Sequence, residues 1–390
     1  MAHKQAYWLS EQDCQLDDFI RTVSRYTDLA DYPLAAAVES NILVYDCDTV
    51  RQRGADTASL RVLQAEWGKA LLHGPGVVVL KRAVDDLELL EQVNAVFQEL
   101  IAEQHASGQA GGDHFARAGA NDRIWNAQQK LCLRAPNAFA RYYGNPILAW
   151  ICQAWLGPAY QVTAQVNVVN PGGAAQAPHR DYHLGFQSAT ACAAYPAHVH
   201  QMSACLTLQG AVAHCDMPLE SGPTLYLPYS QRYQAGYLAW QQPAFRAYFQ
   251  QHHVQLPLSK GDAVFFNPAL FHAAGHNRST TIRRMANLLQ VSSPFGRAME
   301  TLDRKQMSAT LYPALQALYA QGALTAKQMH YAVAACAEGY AFPSNLDRDQ
   351  PIDGMAPPSQ QDIMLQALAG QWPVARLIEA LENKEWRQQA

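Results

Sequence analysis

The chain has 390 residues, 49% of them hydrophobic and only 16% charged, with a formal net charge of −4. That is apolar material for one substantial core with additions or for two modest domains. It contains no basic tract suited to a nucleic-acid backbone, which excludes that partner class. Apolar runs such as GVVVL at 76–80 are too short for a membrane span. The first residues lack a basic segment followed by an apolar run, so no signal peptide is expected. Cysteines at 14, 47, 132, 152, 192, 205, 215 and 336 form no close CxxC pair. This argues against a zinc knuckle or disulfide scaffold and favours a cytoplasmic location.

In chain order, NILVYD at 41–46 reads as a strand, and Leu60, Val62, Leu63 and Trp67 mark a helix over 57–72. HGPG at 73–76 ends it, and GVVVLKRAV enters the main domain as a buried strand. Asp85 and Asp86 precede the amphipathic helix LELLEQVNAVFQELIAEQ. Residues 105–123 are rich in Gly, Ala, His and Asp and predict a long loop. A helical region over 136–156 is divided at Asn145-Pro146.

From Ala159 to about Ser293 the period shortens. QVTAQVNVV, HQMSACLTLQGAVA, GPTLYLPY, HHVQLPL, DAVFFN and RRMANLLQV have strand character, with Gly, Pro, Asn and Ser between many of them. Antiparallel double-sheet packing, a β-sandwich or jelly roll with helices outside, is the expectation. After Pro294 the chain returns to helix, with a Pro/Asp-rich loop at 342–360 and a break near Trp372-Pro373. The division expected is a mixed N-terminal extension over 1–73, a jelly-roll domain with embedded helices over 74–293, and a helical C-terminal extension over 294–390. The terminal helices are candidates to cover a sheet face, close a site or support a homodimer.

The chemistry-bearing residues are split along the chain. His179 and Asp181, in APHRDYHLGF, are two apart and share one side of extended backbone. His272 follows the strand-like VFF and the NPAL turn. Two imidazoles and one carboxylate can hold non-haem iron(II) on one face and leave the other open. An HxD pair alone is weak, and His183, His198, His200, His214 and His276 compete; a hydrogen-bonded pair near a turn is the plainer alternative. His198 and His200 would share a strand face and could join a zinc site.

Arg283 strengthens the iron reading. Alternation sets Arg283 with Met285, Asn287 and Leu289, and Arg284 with Ala286 and Leu288. An inward arginine needs a partner or a wet cavity, and the distal carboxylate of 2-oxoglutarate would bind it two-pronged. The alternative is a salt bridge to a nearby acid, with Arg284 as the exposed neighbour or the reverse. Gln165 and Asn167 share a strand face with Thr163 and are candidate donors to the co-substrate; a solvent-facing polar strand side is the competing reading. Candidate substrate-facing residues are His183, Phe186, Gln187, Thr207, Gln209 and Tyr226, with Trp125 reaching the mouth from the preceding loop.

GVVVLKRAV, NPGGAAQAPHRDYHLGF, DMPLESGPTLYLPYSQR, KGDAVFFNPALFHAAGHNRS and TIRRMANLLQ, in this order, resemble the phytanoyl-CoA dioxygenase family of iron(II)/2-oxoglutarate-dependent oxygenases over roughly residues 74–292. The resemblance implies a double-stranded β-helix (jelly roll, cupin-like). It places His179, Asp181 and His272 at the iron-ligand positions and Arg283 at the 2-oxoglutarate arginine. Where relatives often have Gly-Ser-His, this chain has Tyr229-Ser230-Gln231, which bears on loop packing rather than on a ligand.

The expected cofactors are Fe(II), 2-oxoglutarate and O2, and the expected partner is a small-molecule substrate. The implied reaction is hydroxylation of an unactivated C–H bond with release of succinate and CO2. Asp181 keeps the carboxylate that halogenases of this kind lack, so halogenation is disfavoured. Desaturation, cyclisation and epimerisation use the same ligands. A metal-dependent isomerase or hydrolase, or a nonenzymatic metabolite-binding or assembly module on the same barrel, are the readings from other classes.

Overall fold

The computed structural model describes residues 7–108, 119–352 and 354–390. Ten strands are present among them: β1 (Ala37–Glu39), β2 (Ile42–Asp46), β3 (Val77–Lys81), β4 (Asn121–Ile124), β5 (Gln161–Val169), β6 (Thr207–Ala213), β7 (Leu225–Leu227), β8 (Ala263–Phe266), β9 (Phe271–Ala273) and β10 (Arg284–Ser292). Eight form a mixed sheet in the order β1-β2-β3-β8-β6-β10-β5-β4, and β7 and β9 form a two-stranded ladder. Within the larger sheet only β2 and β3 run parallel. The N-terminal extension is therefore continuous with the main sheet through β2.

Helix starts follow their caps. Asp56 accepts from Ser59 N to open Thr57–Leu72, Asp86 accepts from Leu89 N to open Leu87–Ala106, and Asn145 accepts from Ile147 N with Pro146 as the first helical residue. The Asn145-Pro146 step separates Pro136–Tyr143 from Pro146–Leu156, as the sequence predicts.

These helices cover one face of the large sheet. Leu131, Phe139 and Ile151 share a core with Val162, Val166, Leu289 and Val291 from β5 and β10. Each such side chain contributes roughly 1.5–3 kcal/mol when fully buried. Met307 and Leu311 of Arg304–Ala320 and Val333 of Ala326–Cys336 extend the same core, so the C-terminal helices pack behind the sheet. The other sheet face, toward β7 and β9, holds the cavity described below.

Three sequence expectations change. Residues 121–123, placed in a long loop, form β4 together with Ile124 by pairing with β5; residues 109–118 of that loop lie outside the described residues. HQMSAC is helical, in Ala197–Cys205, and only from Thr207 does the chain extend. His198 and His200 thus share no strand face, and His200 is buried with Nε2 2.9 Å from Cys192 O. HHVQLPL forms no strand and makes only isolated bridges, Tyr226–Val254 and Met217–Leu258, among the described residues. None of the eight cysteines is in a disulfide. Among the described residues no helix is long and apolar enough to cross a membrane.

Candidate active site

The HxD segment is held against β9 by backbone. His179 N donates to His272 O at 3.0 Å, His272 N donates to His179 O at 3.2 Å, and Asp181 N donates to Pro268 O at 2.9 Å. This pairing brings together residues far apart in sequence. Period two then turns Arg180 away from the two side chains that flank it. Its buried guanidinium donates to Ser230 O at 2.5 Å and Tyr233 O at 3.0 Å and lies over the rings of Tyr237 and Phe271. Burial lowers the Arg180 pKa to about 10, and the nearby Tyr237 and Tyr233 oppose the shift, so it stays charged at neutral pH. The Tyr229-Ser230-Gln231 segment is thus the seat of this strap. Ser230 Oγ also accepts from Phe271 N at 2.7 Å, and Gln231 Nε2 donates to Gly74 O at 2.9 Å.

On the opposite side His179, Asp181 and His272 converge, with one potential ligand atom from each lying within 4.8 Å of the others. His272 Nε2 is 3.2 Å from Asp181 Oδ2, and His179 Nε2 is 3.6 Å from Asp181 Oδ1. His179 Nδ1 donates to Ala177 O at 2.9 Å, and His272 Nδ1 donates to Leu270 O at 2.8 Å. A carbonyl can only accept, so both Nδ1 atoms carry the proton and both Nε2 lone pairs face the carboxylate. That tautomer and the N,N,O donor set fit iron(II). Burial lowers the His179 pKa, which favours the neutral ring a metal needs. Burial also pushes the Asp181 carboxyl up, but His179, His272 and the Gln209 amide together hold it below its ordinary range. Gln209 Nε2 donates to Asp181 Oδ2 at 2.5 Å and fixes the carboxylate's orientation.

The triad opens into a cavity of about 780 Å³. Its floor is one face of the large sheet, read in rows from the strand registers. Asn167, Ala286 and Ala213 form one row; Gln165, Leu288, Ala211 and Val264 the next; and Gln290, Gln209 and Phe266 the last. Arg284 precedes the first row on β10, on the same face.

This decides between the two arginines. Arg284, not Arg283, enters the cavity. Arg284 is 7% exposed and donates only to backbone carbonyls, Ser221 O at 3.3 Å and Gly275 O at 3.5 Å; among the described residues no carboxylate pairs with it. Burial lowers its pKa to about 10, which still leaves it cationic at neutral pH. Arg283 points to the opposite side, its side chain 58% exposed, and pairs with Asp122 at 3.1 Å and Asn170 Oδ1 at 3.2 Å. The sequence grouped the strand's residues correctly by parity but assigned the wrong group to the cavity, because β10 is buried on both faces.

Of the other sequence candidates, Gln165, Asn167, Phe186, Gln187, Gln209 and Trp125 line the cavity. His183, Thr207 and Tyr226 do not. Thr207 shares parity with Gln209 but sits at the start of β6, its Oγ1 3.2 Å from His183 Nε2, so the two satisfy each other. Tyr226 packs edge-on to Phe266 within an apolar cluster containing Val77 and Leu270. Sequence reasoning missed Arg180, Tyr182 and Arg123. Period two could have flagged Arg180 as the outward residue between two ligands. Nothing local distinguishes Arg123, which reaches the cavity because Arg123 registers with Asn167.

A family model described as Phytanoyl-CoA dioxygenase (PhyH) matches residues 72–285, more than half of the chain. Among curated proteins nothing matches. Similar solved structures include the non-heme alpha ketoglutarate dependent epimerase SnoN from nogalamycin biosynthesis, at 20% identity and a TM-score of 0.42 over 61% of this chain and 82% of that one. They also include the non-heme alpha ketoglutarate dependent carbocyclase SnoK from nogalamycin biosynthesis, at 20% identity and a TM-score of 0.43 over 60% of this chain and 86% of that one.

Proposed function

This chain belongs to the phytanoyl-CoA dioxygenase family and is an iron(II)- and 2-oxoglutarate-dependent enzyme, and on that premise we propose that it hydroxylates a C–H bond of a small or medium-sized metabolite. In this reading His179, Asp181 and His272 hold the iron and Arg284 takes the distal carboxylate of 2-oxoglutarate. The observation that carries it is a buried arginine with no carboxylate partner among the described residues, lining the same cavity as three convergent ligands. A buried guanidinium left so is costly unless a ligand anion completes it, and its fork suits a carboxylate.

Iron(II), when bound, supplies the redox chemistry that couples O2 and 2-oxoglutarate to oxidation of the substrate. The balance is substrate C–H plus O2 plus 2-oxoglutarate, giving C–OH, succinate and CO2. The protein's part is placement. Gln209 holds Asp181 in one rotamer through its amide hydrogen bond, and Arg180 straps the ligand-bearing segment to the Ser230 loop. Between Arg284 and the triad the cavity is lined by Ala213, Ala286, Val264 and Leu258, small or apolar residues suited to the methylene chain of the co-substrate. Asn167 is placed to donate to its polar end, and Gln165 lies one row further along. Asp181 fills the carboxylate position, which favours oxygen insertion over halogenation.

The same reading treats the fold as a double-stranded β-helix. The support is the cavity's position between the eight-stranded sheet and the β7–β9 ladder, extended by the His179–His272 bridge. The catalytic unit would span 74–293, with 1–73 and 294–390 as its extensions.

The test is anaerobic reconstitution with iron(II) and 2-oxoglutarate, exposure to O2 with a metabolite library, and mass spectrometry of succinate and of every candidate substrate. A gain of one oxygen supports hydroxylation. A loss of two hydrogens shows desaturation or cyclisation instead, and an unchanged mass with altered chromatographic retention shows epimerisation. His179→Ala and Asp181→Ala are expected to abolish succinate release; coupled turnover persisting in both would end the ligand assignment.

A further inference from the structure

The cavity has two unlike ends. Gln290 lies six positions beyond Arg284 on β10, about 20 Å of extended chain. The Arg284 end is the co-substrate's in the reading above. At the far end stand Gln290 and Gln209, with Tyr182, Trp125, Phe186 and Trp240 around them.

Three polar atoms there lack partners among the described residues, one of them the donor Trp240 Nε1. The Tyr182 hydroxyl belongs to a side chain 3% exposed, and Gln209 Oε1 is fully buried; neither makes a hydrogen bond. Buried polar groups are ordinarily satisfied, so each orphan atom on a cavity-lining residue needs an explanation. Gln209 has already committed its amide nitrogen to Asp181, so its oxygen can only accept. Tyr182 can donate or accept. Its backbone is also held at φ 61° and ψ 148°, a region L-residues avoid, directly after Asp181. The fold thus presents this phenol beside the metal ligands at a conformational cost.

We propose that Tyr182 and Gln209 form a substrate-positioning ledge for a hydroxyl group, so that the substrate is an alcohol with a largely apolar, ring-bearing skeleton. A hydroxyl donates to Gln209 Oε1 and accepts from a phenol. A carboxylate would set its oxygens against an acceptor-only atom, and an ether or hydrocarbon leaves Gln209 Oε1 unmet. Trp125, Phe186 and Trp240 supply flat apolar walls for the skeleton. The ledge adjoins Asp181 and therefore orients the substrate carbon next to the reacting centre. This inference rests on the triad and Arg284 reading.

The test uses the full chain loaded anaerobically with Mn(II) and 2-oxoglutarate, and three probes of similar size: 2-phenylethanol, (2-methoxyethyl)benzene and propylbenzene. Ligand-proton relaxation by Mn(II) reports both affinity and closeness to the metal. The alcohol is expected to bind roughly tenfold tighter than the hydrocarbon, the worth of one or two recovered hydrogen bonds. The ether is expected to fall near the hydrocarbon. Tyr182→Phe is expected to reduce the alcohol's advantage at least threefold while 2-oxoglutarate affinity stays unchanged. Equal binding of the three probes to the unmodified protein, or full discrimination surviving in Tyr182→Phe, overturns the ledge. Failure of the unmodified protein to bind 2-oxoglutarate with Mn(II) would instead bring down the site reading beneath it, and the ledge with it.

Discussion

The two faces of β10 carry adjacent residues to opposite fates. Arg284, Ala286, Leu288 and Gln290 look into the cavity, and Arg284 is left with an unfilled need for an anion. Arg283, Met285, Asn287 and Leu289 look the other way, onto protein, with Asn287 Oδ1 left without a partner among the described residues. Arg283 meets Asp122, Asn287 donates to the hydroxyls of Tyr142 and Tyr143, and Met285 and Leu289 enter the helical core. In the proposed reading one face holds affinity for a ligand, and the other holds stability. The lesson is that a charged residue's role on a doubly buried strand is read from whether the protein itself pairs it.

The comparison breaks most visibly at the arginine pair. Arg284→Ala is expected to weaken 2-oxoglutarate binding by about 2–5 kcal/mol, the cost of removing one partner of a buried charge pair. Calorimetric titration of the Mn(II)-loaded protein measures it. Unchanged affinity would return the co-substrate's anchor to some other residue.

On the opposite face Asn287→Ala should behave in reverse. It strips donors from two buried tyrosine hydroxyls, and a loss of about 1–3 kcal/mol in urea-unfolding stability is expected with 2-oxoglutarate affinity intact. A variant that kept its stability but lost co-substrate binding would show the two faces to be coupled.

The helical side also predicts an acid response. His214 is buried, with Nδ1 2.6 Å from Asn94 Oδ1 and Nε2 3.0 Å from the Tyr142 hydroxyl. Burial, with help from Lys260, pushes its pKa down to about 3. The unfolded chain takes up a proton near the ordinary histidine value of about 6.5 and the folded one resists. Stability from this group is therefore present above that value and falls as the pH drops toward 3, by up to ~1.4 kcal/mol per pH unit. His214→Asn should flatten that slope in thermal unfolding; an identical slope would remove His214 as its cause.

The smallest effect belongs to Arg283→Ala. Its pair with Asp122 is half open to solvent, so less than about 1 kcal/mol of stability and no co-substrate affinity should be lost. A large loss of 2-oxoglutarate binding in this variant would reinstate the arginine that the sequence favoured.

The sequence by itself determined what local physics and linear pattern encode. The capped helices at 57–72, 87–106 and 146–156, the strands at β3, β5 and β10, and the parity of every residue along them follow from side-chain period and cap chemistry. So does the same-side placement of His179 and Asp181. Tertiary structure alone decided which parity faces the cavity, since both faces of β10 bury polar and apolar residues alike. It also decided that 121–124 pairs as a strand, that 197–205 coils, and that Thr207 and His183 complete one another away from the cavity. Register and packing between strands far apart in sequence set these outcomes, and no neighbouring residue carries that information.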